Sequence, residues 1–198
     1  QSYKNFEVII VDDYSSDGTL NIINEFLLTK NNIKLFRLKK NFGGPAKPRN
    51  IGIKNSNGNL IAFLDSDDLW DSRKLEKQVN FIKKNKLNFT SSNFKLIDEN
   101  GNYIDKLFFK FLFNLLPKKK LEHLIINNFI ALSSTLIKKK YLPLFNEGKE
   151  YISVEDFDNW LKIMNNKNVS YKFQNEELIN YRVLNNSISN RKNKKIQD

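Results

Sequence analysis

Residues 61–70, IAFLDSDDLW, put three aspartates (Asp65, Asp67 and Asp68) into four positions directly after an apolar run. Like charges at that spacing repel, so the pattern asks for a positive group supplied from outside the acids. In extended backbone, residues two apart face one side, which projects Asp65 and Asp67 together with backbones about 6–7 Å apart. Such a pair suits a hard divalent cation. Magnesium or manganese is usually held by one or two carboxylates, with substrate phosphates completing the shell. Capping of the next helix would account for one aspartate, not three.

A second acidic stretch, VDDYSSDGT (11–19), also follows an apolar run. Its register Asp13, Ser15, Asp17, Gly18 partly imitates an EF-hand calcium loop. The run before it is strand-like, however, and the twelfth loop position, Asn24, is not glutamate. Asp13 is therefore read as a ligand-facing hydrogen-bond acceptor, with Ser16 or Asp17 capping the helix that follows. A third cluster, SVEDFDNW (153–160), has the form of a capping box, Ser153 with Asp156 three residues on. From residue types alone, capping explains Glu155 and Asp156 as well as catalysis does.

The elements that must carry these acids follow from periodicity. FEVIIV (6–11) and LIAFL (60–64) are short, continuous apolar runs, expected as strands buried on both faces. IKLFRL (33–38), FTSSNFKLI (89–97) and ELINYRV (177–183) are further strand candidates, and DENGN is a turn. Leu20, Ile23 and Leu27 repeat at helical spacing, as do Leu75, Val79 and Ile82 behind a cap at Asp71 or Ser72. NFGGPAKPRN (41–50) is expected as a loop and IGIKNS as a short helix. A further helix is expected from about Ser153, its buried stripe formed by Phe157, Trp160, Leu161 and Met164. Strands alternating with helices over residues 1–90 predict an α/β layer fold with a mainly parallel sheet.

Composition excludes several classes. The 198 residues, 40% hydrophobic, suffice for one sizeable core. No apolar stretch reaches the length of a membrane-spanning helix. Without cysteine there is no disulfide, thiolate metal site or cysteine nucleophile, and the single histidine, His123, builds no zinc site alone. The net charge of +11 favours a polyanionic partner, although lysine accompanied by asparagine and isoleucine also has the look of a coding bias. LFFKFLFNLLPKKK (107–120) reads as core or acceptor lid in preference to a membrane-docking segment. The lysine-rich end, 186–198, is expected to fray.

NFEVIIVDDYSSDGT, NFGGPAKPRNIGI and NGNLIAFLDSDDLW, in that order, resemble a family 2 glycosyltransferase of the GT-A fold. NNFIALSSTLIKKKYL and SVEDFDNWLKIM resemble the acceptor side of the same family, so the likeness reaches about residue 185. It implies one GT-A-like domain over 1–185, with a donor half at 1–90 and an acceptor half at 91–185. It further implies a nucleotide-sugar donor (a UDP-sugar foremost), Mn2+ or Mg2+, and a saccharide or lipid-linked saccharide acceptor. Asp13 would contact the nucleobase, and Arg49 would lie near the donor. Asp67 would ligate the metal, with Asp65 at the metal or the ribose, and Asp156 would be the catalytic base. Inverting transfer in bacterial surface polysaccharide or glycolipid assembly is the implied activity, in the cytoplasm or at the inner face of the membrane, with no nucleic acid as partner.

The chain opens at Gln1, almost directly on a strand. Family members carry a strand and helix before this point, so the resemblance marks the sequence as N-terminally truncated. The missing strand would lie between two others, and the chain alone is expected to be less stable than the full protein and inactive. Two rivals remain at this stage. A sugar nucleotidyltransferase shares the sheet and the metal; its glycine-rich loop would follow the first strand, in the part missing here, but VDDYSSDGT and EDFDNW argue against it. A basic nucleic-acid-binding domain would interleave lysines with aromatics on one face, whereas here acids end the strands.

Overall fold

The first apolar run becomes strand β1 (Val8–Asp12), and helix α1 (Thr19–Thr29) leads to β2 (Ile33–Arg37). The two strands pair in parallel, Val8 opposite Ile33 through Asp12 opposite Arg37, as a separate two-stranded sheet. The computed structural model describes residues 1–105 and 121–184; the aromatic run at 107–120 and the basic tail at 186–198 lie outside them.

Of β1, only Asp12 is fully buried, which corrects the expectation of a strand buried on both faces. The cause is the sheet's narrow width: no second strand lies on the other edge of β1 among the described residues. Helix α2 (Ala46–Asn55) covers one face, with Gly52 against Val11. This helix starts inside the stretch expected as a loop. Pro48 falls at its third position, where the missing N–H would have had no helical partner anyway.

The larger sheet has the order β3 (Leu60–Ile61), β6 (Thr135–Lys138), β5 (Phe89–Ile97), β7 (Tyr171–Arg182), β4 (Leu69–Trp70). β5 and β7 are parallel, whereas β3–β6, β5–β6 and β4–β7 are antiparallel. The sheet is thus mixed, not mainly parallel. Strand–helix alternation reports only local connections, whereas direction is set by partners distant in sequence. β5 has the bounds expected from FTSSNFKLI, and Asp98 to Asn102 close the expected turn. The expected strand 60–64 shrinks to two residues, because the chain leaves the ladder before the aspartates.

Two helices close the core. α3 (Lys74–Asn85) buries the expected stripe of Leu75, Val79 and Ile82, and Asp71 accepts the N–H of Arg73 at its start. The short α4 (Leu121–Ile126) buries Leu124. Helix α5 (Glu155–Met164) drives Trp160, fully buried, onto Phe89 with ring centroids 5.4 Å apart and edge-on to Phe145 at 6.4 Å. Phe157, Leu161 and Met164 pack against the same cluster. The capping box does not form: α5 begins at Glu155, no side chain caps it, and Ser153 sits at φ 74°. That left-handed turn of a non-glycine residue is a strained conformation. It redirects the chain so that Glu155 and Asp156 enter the first turn of α5 beside the strand ends.

Candidate active site

The aspartates of IAFLDSDDLW lie in a turn, not on extended backbone: the N–H of Asp68 donates to the carbonyl of Asp65 at 3.1 Å. The strand-spacing argument for Asp65 and Asp67 therefore fails, and their proximity comes from the turn. The three acids have separate fates. Asp68 is buried, and its Oδ1 accepts the backbone N–H of Arg182 at 2.9 Å. Burial pushes its carboxyl up to about 6, the Ser133 hydroxyl and the Arg182 N–H opposing and Asp65 and Asp67 adding. Asp68 anchors the turn. Asp65 accepts Nη2 of Arg49 at 2.8 Å, and its own N–H donates to Ser133 Oγ at 3.0 Å. Asp67 is half-buried, and no cationic side chain pairs with its carboxylate among the described residues. Burial and the charge of Asp65 hold it above the ordinary carboxylate range.

Arg49 joins this turn to α5. Its Nη1 donates to Glu155 Oε1 at 2.6 Å while Nη2 holds Asp65, and the guanidinium lies over the Phe145 ring, 5.6 Å from the centroid. Burial works against its charge, but Asp65, Glu155 and Asp156 keep it above the ordinary arginine value. The neighbouring Asn50 fixes the helix that carries it. The side chain of Asn50 donates to the Phe145 carbonyl at 2.9 Å and accepts the Phe145 N–H at 2.8 Å. Asp156, next to Glu155, is pushed up to about 6 by burial and by Glu155, with Arg49 and the Phe157 N–H pulling the other way. The Tyr181 phenol, on β7, is pushed up to about 12 by burial and by Asp68, Asp65, Asp67 and Asp156. Four carboxylates from two chain segments thus surround the Tyr181 phenol.

Asp13 takes a different place. Both its carboxylate oxygens accept the Phe42 N–H, at 3.0 and 3.1 Å. It therefore ties the end of β1 to the loop before α2. In that loop Gly43 adopts φ 76°, and Gly44 passes so close to Ile152 that an added Cβ would lie 3.2 Å from its Cγ1. Asp17 accepts the Thr19 N–H at 3.0 Å and so serves the start of α1.

The structure thus brings Arg49, Asp65, Asp67 and Asp156 together and sets Asp13 on the adjoining loop. Glu155, Ser133 and Arg182 were not foreseen as parts of the site. Glu155 had a signal in its neighbour Asp156; the other two act largely through backbone groups, which leave none. Among the described residues no group of three or more His, Asp or Glu side chains could hold a metal. Asp65 and Asp67 alone offer hard oxygen donors, a set that fits a cation completing its shell from substrate phosphates.

Residues 1–142 match glycosyl transferase family 2. The chain belongs to this family. Membership removes the sugar nucleotidyltransferase and the non-enzymatic basic domain as its class. It is 38% identical over 146 residues to an uncharacterized glycosyltransferase of Haemophilus influenzae, covering 73% of this chain and 55% of that protein. It is 31% identical over 203 residues to the Escherichia coli UDP-Glc:alpha-D-GlcNAc-diphosphoundecaprenol beta-1,3-glucosyltransferase WfgD, covering 100% of this chain and 73% of that one. The crystal structure of Staphylococcus aureus TarS 1–349 in complex with UDP-GlcNAc superposes with TM-score 0.75 at 26% identity, over 94% of this chain and 53% of TarS. The family 2 chain thus spans about half the length of some of its relatives. No helix among its described residues is long and apolar enough to cross a membrane.

Proposed function

We propose that this chain forms the donor and base sites of an inverting, divalent-metal-dependent glycosyltransferase. It moves a sugar from a UDP-sugar to the hydroxyl of a saccharide or lipid-linked saccharide in bacterial surface polysaccharide or glycolipid synthesis. One observation carries the reading: Arg49 ties the Asp65–Asp68 turn to the helix bearing Asp156, bringing a metal-type carboxylate pair and a base-type carboxylate to one site. WfgD, by its name, uses UDP-Glc and a diphosphoundecaprenol-linked GlcNAc, and TarS binds UDP-GlcNAc in its crystal. Both support the substrate classes. Residues 1–90 would form the donor half of a single GT-A-like domain and 91–185 the acceptor half.

Asp13 keeps lone pairs beyond those used by Phe42, since an ionised carboxylate offers about four acceptor sites. It would accept an N–H of the nucleobase. Asp67, with Asp65, would hold Mn2+ or Mg2+, which supplies Lewis-acid stabilisation of the diphosphate leaving group. Arg49 near the donor would act chiefly by orienting Asp65 and Glu155. Asp156 would take the proton of the acceptor hydroxyl as its oxygen bonds to the anomeric carbon and the bond to the diphosphate breaks. Attack opposite the leaving group inverts the anomeric configuration. A carboxyl near 6 is ionised at neutral pH yet basic enough to assist.

Calorimetry on the full-length protein against nucleotide-sugars with Mn2+ tests this. UDP-sugar binding is expected to need the metal and to be lost in D67A. D156N is expected to bind the donor and to lose at least about 100-fold in turnover, the scale of general-base catalysis. Metal-dependent donor binding that survives in D67A would remove the mechanism.

A further inference from the structure

We propose that Arg182 is a positioning residue that sets the acidic turn, and with it Asp67, against the end of the β5–β7 pair. The inference rests on the reading above, in which Asp67 grips the cation. Residues 62–68 belong to no strand, and the strands either side, β3 and β4, hold two residues each. Ladder bonds therefore do little to place the turn. Arg182, the last residue of β7, does so from three directions. Its backbone N–H donates to Asp68 Oδ1 at 2.9 Å, and its Nε donates to the Asp67 carbonyl at 2.8 Å. Its Nη1 donates to the carbonyls of both Asp98 and Glu99 at 2.9 Å.

One rigid guanidinium thus bolts the Asp67 peptide to the turn that ends β5. That receiving turn is itself organised by Asp98, whose carboxylate accepts the N–H groups of Asn100 at 2.9 Å and Asn102 at 2.8 Å. A lysine cannot span this set, because its ammonium is a single point whereas the fork aims Nε and Nη1 at different acceptors. The side chain of Arg182 thus donates to three carbonyls, those of Asp67, Asp98 and Glu99.

The test uses the full-length protein, with Mn2+ binding followed by electron paramagnetic resonance in the presence of UDP, and urea midpoints measured alongside. R182A is expected to weaken Mn2+ binding by about 10–100-fold, the usual effect of losing a group that orients a ligand. R182K is expected to fall in the same direction, and ethylguanidinium to restore part of the loss in R182A. D98A alters only the exposed receiving turn and is expected to weaken Mn2+ binding by a smaller factor. Wild-type Mn2+ affinity in R182K, or in a folded R182A, overturns the proposal. D67N is the control: Mn2+ binding unchanged in D67N defeats the parent reading, whereas loss in D67N with none in the Arg182 variants defeats this inference alone.

Discussion

Asp156 and Asp68 show how position, not residue type, divides labour among carboxylates. Both are pushed up to about 6, mainly by burial. Asp68 accepts the Arg182 N–H through Oδ1 and anchors the turn, whereas Asp156 accepts the Phe157 N–H at the start of α5. A base must be ionised to act, so turnover limited by Asp156 is expected to rise as pH climbs through about 6 and to level above it. The groups facing it are Glu155, Arg49 and Asp65. Replacing Arg49 with methionine removes the charge that holds Asp156 down, so the rise should move to higher pH; kcat/KM profiles of both proteins check this. An R49M profile unmoved, or moved to lower pH, would break the assigned link. Asp13, Asp65 and Asp67 stood out by type and order, whereas Arg49 and Asp156 were singled out by the family resemblance. Arg182 and Ser133 were not, because a side chain that bonds to backbone groups has no matching residue to betray it.

Helix α3 carries its own demand. Lys74 is fully buried, with Nζ donating to Gln78 Oε1 at 2.7 Å and the Thr135 carbonyl at 3.3 Å and lying 4.2 Å from the Trp70 ring centroid. Burial holds its amine well below the ordinary value of 10.5, and no carboxylate among the described residues compensates. The unfolded chain binds a proton below that value and the folded chain does not until far lower. Stability from this group is therefore complete above pH 10.5 and is lost as pH falls. Between pH 7 and 10 the urea stability should rise with pH by up to about 1.4 kcal/mol per unit more in the wild type than in K74M. Parallel slopes would show that the amine stays charged. The helical stripe of α3 was readable from its period, yet nothing in that period separates a snorkelling lysine from one sealed beneath Trp70.

At the scale of the molecule, the two sheets differ in how firmly they are held. β5 and β7 pair over nine registered residues above the Trp160 cluster, whereas β1 and β2 stand as a two-stranded unit with little fully buried surface. Two strands alone are marginal in water. Hydrogen exchange should therefore be faster at Val8–Asp12 and Ile33–Arg37 than at Phe89–Ile97, and a UDP-sugar with Mn2+ should slow the first pair. Equal protection in both sheets would contradict this. The mixed sheet was hidden from periodicity because β6 and β4 run against partners more than 40 residues away in sequence. Residue types and their order sufficed for the family, the acidic motifs and most elements, since those follow from local spacing and composition. Which aspartate anchors the turn and which pairs with Arg49 emerged only on folding, because hydrogen-bond partners are chosen by distance in space.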